Sequence, residues 1–172
     1  MPADPAPIDP VRILAVLERH GVEYVLIGGV AANVHGYPLP TEDVDVTPAS
    51  DAANLERLAG ALREVGARLR VAGEPEGVPF SVDAAALGRA EIWTLVTDVG
   101  DLDVVVLPDG TQGYQDLRRD ATREELAEGL TVQVASLADV IRSKEAAGRP
   151  KDRAQMPALR ETLERRRRRE GG

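Results

Sequence analysis

The chain has 172 residues and a net charge of −8, the length of about one domain and enough to bury a sizeable core. It has no cysteine, which excludes disulfides and thiolate zinc sites, and only 3% aromatic residues, which disfavours stacking platforms for single-stranded nucleic acid. No apolar run approaches the roughly 18 residues of a membrane span, and the N-terminus lacks the basic and apolar regions of a signal peptide, so a cytoplasmic protein with no membrane partner is expected. The acidic balance argues against general attraction to nucleic acid. Of the 21 basic residues, only Lys144 and Lys151 are lysines.

Residues 1–8 are rich in Pro and Ala and read as a flexible tail. Asp9-Pro10 reads as an N-cap followed by proline at the first helical position, and Gly21 ends that helix. Tyr24-Val25-Leu26-Ile27 is an apolar strand running into Gly28-Gly29. A glycine pair at a strand end lets the backbone approach a ligand or turn without a Cβ clash. A short Ala-rich helix follows from Gly29 to Gly36, with its first N–H groups aimed at whatever lies beyond the glycines, an arrangement that suits phosphate. His20 and His35 read as packing or capping residues.

Thirteen residues separate Gly29 from Asp43-Val44-Asp45-Val46. Alternation along a strand puts Asp43 and Asp45 on one face and Val44 and Val46 in a core. Two carboxylates held that close repel unless a cation lies between them, and their hard oxygens suit Mg²⁺ or Mn²⁺. A helix over 52–65, capped by Ser50 or Asp51, and a strand over 67–72 continue the pattern. Residues 73–77 read as a loop, and 78–88 give no clear assignment.

Residues 92–97 and 102–107 are β-branched runs around a Gly-Asp turn, the pattern of a hairpin. Asp103 is the lone charge of the second run, costly there unless it is paired or holds a cation. Asp101 shares its face and competes with it, but it falls at the expected turn, where a solvated or turn-forming role accounts for it. Residues 114–119 form a short helical turn. Residues 130–134 alternate as a strand that 121–126 would pair with. Ser136 and Asp139 resemble a capping box for a helix ending at Gly148. A last helix begins at Pro150, is expected to bend or break near Pro157, and ends in Arg165 to Arg169, a run that reads as a solvated tail.

Ile27-Gly28-Gly29 followed by Asp43-Val44-Asp45-Val46 resembles the core motif of the nucleotidyltransferase superfamily, the DNA polymerase β-like fold. The passage from Ala135 to Lys144 and on through Arg149-Pro150-Lys151-Asp152 resembles the C-terminal motif of a bacterial group that includes the AbiEii-like and MenT-like toxins. The resemblance implies an α/β (α+β) fold: a small mixed sheet over 9–135 flanked by helices, a C-terminal helical part over 136–169, and tails at 1–8 and 170–172. It implies transfer of a nucleoside monophosphate from an NTP to an acceptor hydroxyl, with release of pyrophosphate. Asp43, Asp45 and Asp103 would hold a pair of Mg²⁺ or Mn²⁺ ions, Gly28, Gly29 and Thr41 would meet the nucleotide, and Lys144 would contact its phosphates with Lys151 nearby.

A tRNA 3′ end is the acceptor implied by toxins of that group, together with a cognate antitoxin as partner. Aminoglycosides or lincosamides are acceptors elsewhere in the superfamily. A non-catalytic nucleotide-binding or antitoxin-like module on the same fold is the competing reading. One departure stands out: related sequences often carry an arginine just before the Thr-x-Asp-x-Asp strand, where this chain has Leu39-Pro40.

Overall fold

The computed structural model describes residues 8–172. The expected flexible start therefore lies outside the described residues, except for Ile8, which packs against the core. Helix α1 (Pro10–Arg19) starts at Asp9, whose side chain accepts from the Arg12 N–H. It leads to β1 (Tyr24–Ile27), α2 (Gly28–Val34), β2 (Asp43–Pro48) and α3 (Ala52–Glu64), the last capped by Asp51. Strands β3 (Arg68–Val71) and β4 (Glu74–Val78) follow, then the single turn α4 (Ala84–Leu87). The second half is β5 (Ile92–Thr97), β6 (Gly100–Val105), α5 (Tyr114–Asp120), β7 (Thr122–Ala127), β8 (Leu130–Val134), α6 (Leu137–Ala147) and α7 (Pro150–Glu170).

The strands form one sheet in the order β4-β3-β5-β6-β2-β1-β8-β7. It is mixed: β2 with β6 and β1 with β8 run parallel, and the remaining neighbours run antiparallel. The three central strands present Leu26, Val44, Val46, Leu102 and Val104, all at most 1% exposed, to a core shared with Ile13, Leu14 and Leu17 of α1 and Leu58 and Leu62 of α3. Each such side chain contributes about 1.5–3 kcal/mol relative to exposure. That layer keeps β2 and β6 paired although their opposite face crowds carboxylates. No helix among the described residues is long and apolar enough to cross a membrane.

Three local expectations are corrected. Residues 73–77 are not a loop: β4 pairs antiparallel with β3 as the outermost strand. Pro75 and the glutamates tolerate an edge position, because one side of an edge strand needs no ladder partner. Asp101 is not a turn residue, since β6 begins at Gly100 and Asp101 pairs with Val96 and Asp43. Helix α7 is continuous through Pro157 and includes Glu170. An interior proline costs about 3 kcal/mol, and burial of Met156 and Leu159 on either side of it offsets that cost.

Candidate active site

The parallel pairing of β2 with β6 sets Asp45 directly beside Asp103, and Asp43 beside Asp101. Alternation then leaves one carboxylate oxygen each from Asp43, Asp45 and Asp103 within 4.8 Å of one another. Burial, aided by the charges of Asp43 and Asp103, pushes the Asp45 carboxyl well above the usual carboxylate range. Asp103 is pushed up to about 6 by burial and by Asp43, with Arg70 acting in the opposite direction. Asp103 Oδ1 is buried and has no hydrogen-bond partner. Three converging carboxylates, one with a buried oxygen that makes no hydrogen bond, fit a hard divalent cation.

The glycine pair has a steric reason that the sequence pattern did not supply. Gly28 has φ +67°, and a Cβ there would run into the Asp45 carboxylate. A Cβ on Gly29 would sit 2.6 Å from Thr41 Oγ1. Thr41 in turn donates to the Asp43 carbonyl at 3.3 Å. The two glycines thus leave room for the residues that frame β2. Gly28→Ala should destabilise the protein by at least the roughly 1–2 kcal/mol of a left-handed non-glycine residue, and it should displace Asp45. Denaturant midpoints and Mn²⁺ affinity, measured together, check this.

A cavity of about 260 Å³ opens over Asp45 and Asp103. Gly28, Asp45 and Asp103 line it from the sheet, and Val140, Ser143, Lys144 and Arg149 line it from the helical side. Asp152, 1% exposed, organises the two cations: Arg149 Nε donates to it at 2.7 Å and Lys144 Nζ lies 3.6 Å away. Burial raises the Asp152 carboxyl, but Arg149 and Lys144 outweigh it and hold it below the usual range. Lys144 also donates to Gln155 at 3.0 Å, and its charge reaches Asp45. Lys151 is exposed and does not line the cavity.

The sequence patterns assigned no site role to Arg149, Asp152, Asp139 or Arg70. For the first two a signal existed, namely an acid three residues after Arg149 with proline at the first helical position, and the Arg149 N–H does donate to Asp152. Ser136 caps α6 by accepting from the Asp139 N–H, but the Asp139 carboxylate instead meets Arg142 at 3.0 Å and lines the cavity. His35 is a packing residue: its Nε2 lies 2.7 Å from the Ala135 carbonyl and ties the end of α2 to the end of β8. His20 lies 3.1 Å from Glu64, between α1 and α3.

No protein-family model matches the chain, and no curated protein matches it. Among solved structures, the crystal structure of lincomycin-bound LnuA, a lincosamide antibiotic adenylyltransferase, is similar with a TM-score of 0.56 at 16% identity, covering 87% of this chain and 92% of that one. The solution structure of the antibiotic-resistance factor ANT(2'')-Ia is similar with a TM-score of 0.53 at 16% identity, covering 88% and 80%. At such identity the likeness concerns architecture. The chain has the nucleotidyltransferase fold.

Proposed function

We propose that the protein transfers a nucleoside monophosphate from an NTP to an acceptor hydroxyl. The observation that carries this reading is a cluster of three carboxylates, two of which (Asp45 and Asp103) line a cavity whose other wall bears Lys144 and Arg149. Asp43, Asp45 and Asp103 would hold Mg²⁺ or Mn²⁺. The bound ions supply Lewis-acid stabilisation of charge on the phosphate oxygens. The acceptor oxygen attacks the α-phosphorus, the bond to the β-phosphate breaks, and pyrophosphate leaves. Asp103, its carboxyl pushed up to about 6 by burial and by Asp43, would take the acceptor proton. Lys144, held by Asp152 and Gln155, offsets the charge gathering on pyrophosphate. Gly28, Gly29 and Thr41 would lie beside the nucleotide, and Arg149, which lines the cavity as Lys151 does not, would join Lys144 at the phosphates.

An RNA 3′ end, as in a tRNA-modifying toxin held by an antitoxin, is the acceptor we infer from the motif resemblance. The arginine run at the exposed end of α7 supports it. A small-molecule acceptor is the second reading, favoured by Ile92, Val105 and Leu107, an apolar patch lining the cavity beside Asp103, with Ile92 57% exposed. Incubation with each α-labelled NTP, Mg²⁺ and either total RNA or hydroxylated antibiotics separates the two. Label on RNA supports the first, and label on a small molecule supports the second.

Lys144→Ala should weaken NTP binding by about 1.5–3 kcal/mol, the usual weight of a charge-assisted contact, and should leave the fold intact. Isothermal titration with NTP and Mg²⁺ measures it. Unchanged affinity would remove Lys144 from the nucleotide site.

A further inference from the structure

Arg70 belongs to no motif, yet it reaches the aspartates from β3. Its Nη2 lies 3.2 Å from Asp103 Oδ1, and its Nε lies 3.3 Å from Asp101 Oδ2. The same Nη2 donates to the Leu95 carbonyl at 2.9 Å, which fixes the guanidinium to β5. One cation therefore bridges two carboxylates that share a face of β6. Both contacts are loose: the buried Arg70 Nε and Asp103 Oδ1 have no well-formed hydrogen bond. They are charge contacts that can be exchanged. The Asp103 side chain is 16% exposed and the Asp101 side chain 41%, so Asp101 is the wetter partner.

Asp103 Oδ1 cannot face a guanidinium and a divalent ion at once without setting two cations against each other. Arginine is always charged, so the conflict is not relieved by losing a proton. Asp101 gives Arg70 a second anionic partner already within reach. We propose that Arg70 is a positioning residue that stands in for a cation at Asp103 in the metal-free protein and shifts onto Asp101 when a divalent ion is bound. The inference rests on the reading of Asp43, Asp45 and Asp103 as a metal site, and it concerns how that site is loaded.

Two neighbouring substitutions should then act in opposite directions. Arg70→Gln removes the competitor, so Mn²⁺ should bind about three- to tenfold more tightly. Asp101→Asn leaves Arg70 with Asp103 alone, so Mn²⁺ should bind more weakly by a similar factor. In the double variant the effect of Asp101→Asn should shrink below about twofold, because its target is gone. The measurement is free Mn²⁺ by electron paramagnetic resonance, on the full chain without nucleotide at one fixed pH of about 7.5. Weaker or unchanged binding in Arg70→Gln overturns the proposal, as does simple additivity in the double variant. Should Arg70→Gln not fold, Arg70→Lys keeps a charge without the two-armed reach and should still bind Mn²⁺ more tightly than wild type. An unchanged Arg70→Lys overturns the proposal equally. A wild type that binds no Mn²⁺ sinks the metal site itself, whereas a binding wild type with unaffected variants sinks only the role of Arg70.

Discussion

Asp103→Asn should lower single-turnover nucleotidyl transfer by at least about 10²–10⁴-fold while leaving NTP binding largely intact. The substitution keeps the shape of the side chain and removes the charge and the proton acceptor together. Asp103 lies beside Asp45 in the parallel register, and its buried Oδ1 makes no hydrogen bond. Lys144 and Arg149 sit on the opposite wall of the cavity and should still hold the triphosphate. Label transfer measured at saturating NTP and Mg²⁺, beside a titration of NTP affinity, separates chemistry from binding. A dead Asp101→Asn with an active Asp103→Asn would move the third carboxylate two positions along β6.

The second large effect is on stability and its pH dependence. Asp45 and Asp103 are held above the ordinary carboxylate range, Asp103 at about 6. A carboxyl raised in this way binds its proton more tightly in the folded state. Its contribution is fully present below the unfolded value of 3.8 and is lost as pH rises through the folded one. Metal-free protein should therefore lose stability from Asp103 between about pH 4 and somewhat above pH 6, and Asp45 acts in the same direction. A divalent cation binds the ionised forms of the folded protein, so it should restore what is lost. The rise in Tm caused by Mn²⁺ should be small at about pH 5 and larger at about pH 7.5. Asp45→Asn should raise the Tm of metal-free protein, by roughly 2–4 °C for each kcal/mol of repulsion and burial cost relieved. It should also abolish most of the Mn²⁺ response. Scanning calorimetry at the two pH values, with and without Mn²⁺, tests both statements. A metal response that is larger at the lower pH would contradict this picture of the site.

The part of the site carried by local patterns was legible in the sequence. Valines alternating with aspartates determined which face of β2 is acidic, and the β-branched runs of 92–97 and 102–107 announced the β5–β6 pair. The helix cap at Gly148, with φ +61°, was equally readable from residue type, and the α3 cap was narrowed to Ser50 or Asp51, of which Asp51 is the one used. What escaped depends on pairing between distant segments. Arg70 matters because β3 pairs with β5, bringing Arg68 opposite Val96 and Leu69 opposite Leu95, and nothing local to residues 68–71 specifies that partner. The same pairing explains β4, which is a strand only because β3 offers it an edge. Asp101 looked like a turn residue because Gly100 precedes it. In fact the turn is tighter, with Thr97 opposite Gly100. The glycine pair also has a role inside the chain, since an added Cβ would meet Asp45 or Thr41, which only the folded geometry reveals.

The reaction itself is tested most directly by the position of the label. Wild-type protein is given Mg²⁺, RNA and hydroxylated small molecules, with NTP labelled at the α-phosphate in one reaction and at the γ-phosphate in another. The α-label should move onto an acceptor while the γ-label appears in pyrophosphate, and both should stop in Asp43→Ala/Asp45→Ala. A γ-label on the acceptor, or NTP binding with no α-label on any acceptor, would contradict nucleotidyl transfer, and the latter would leave a nucleotide-binding module in its place.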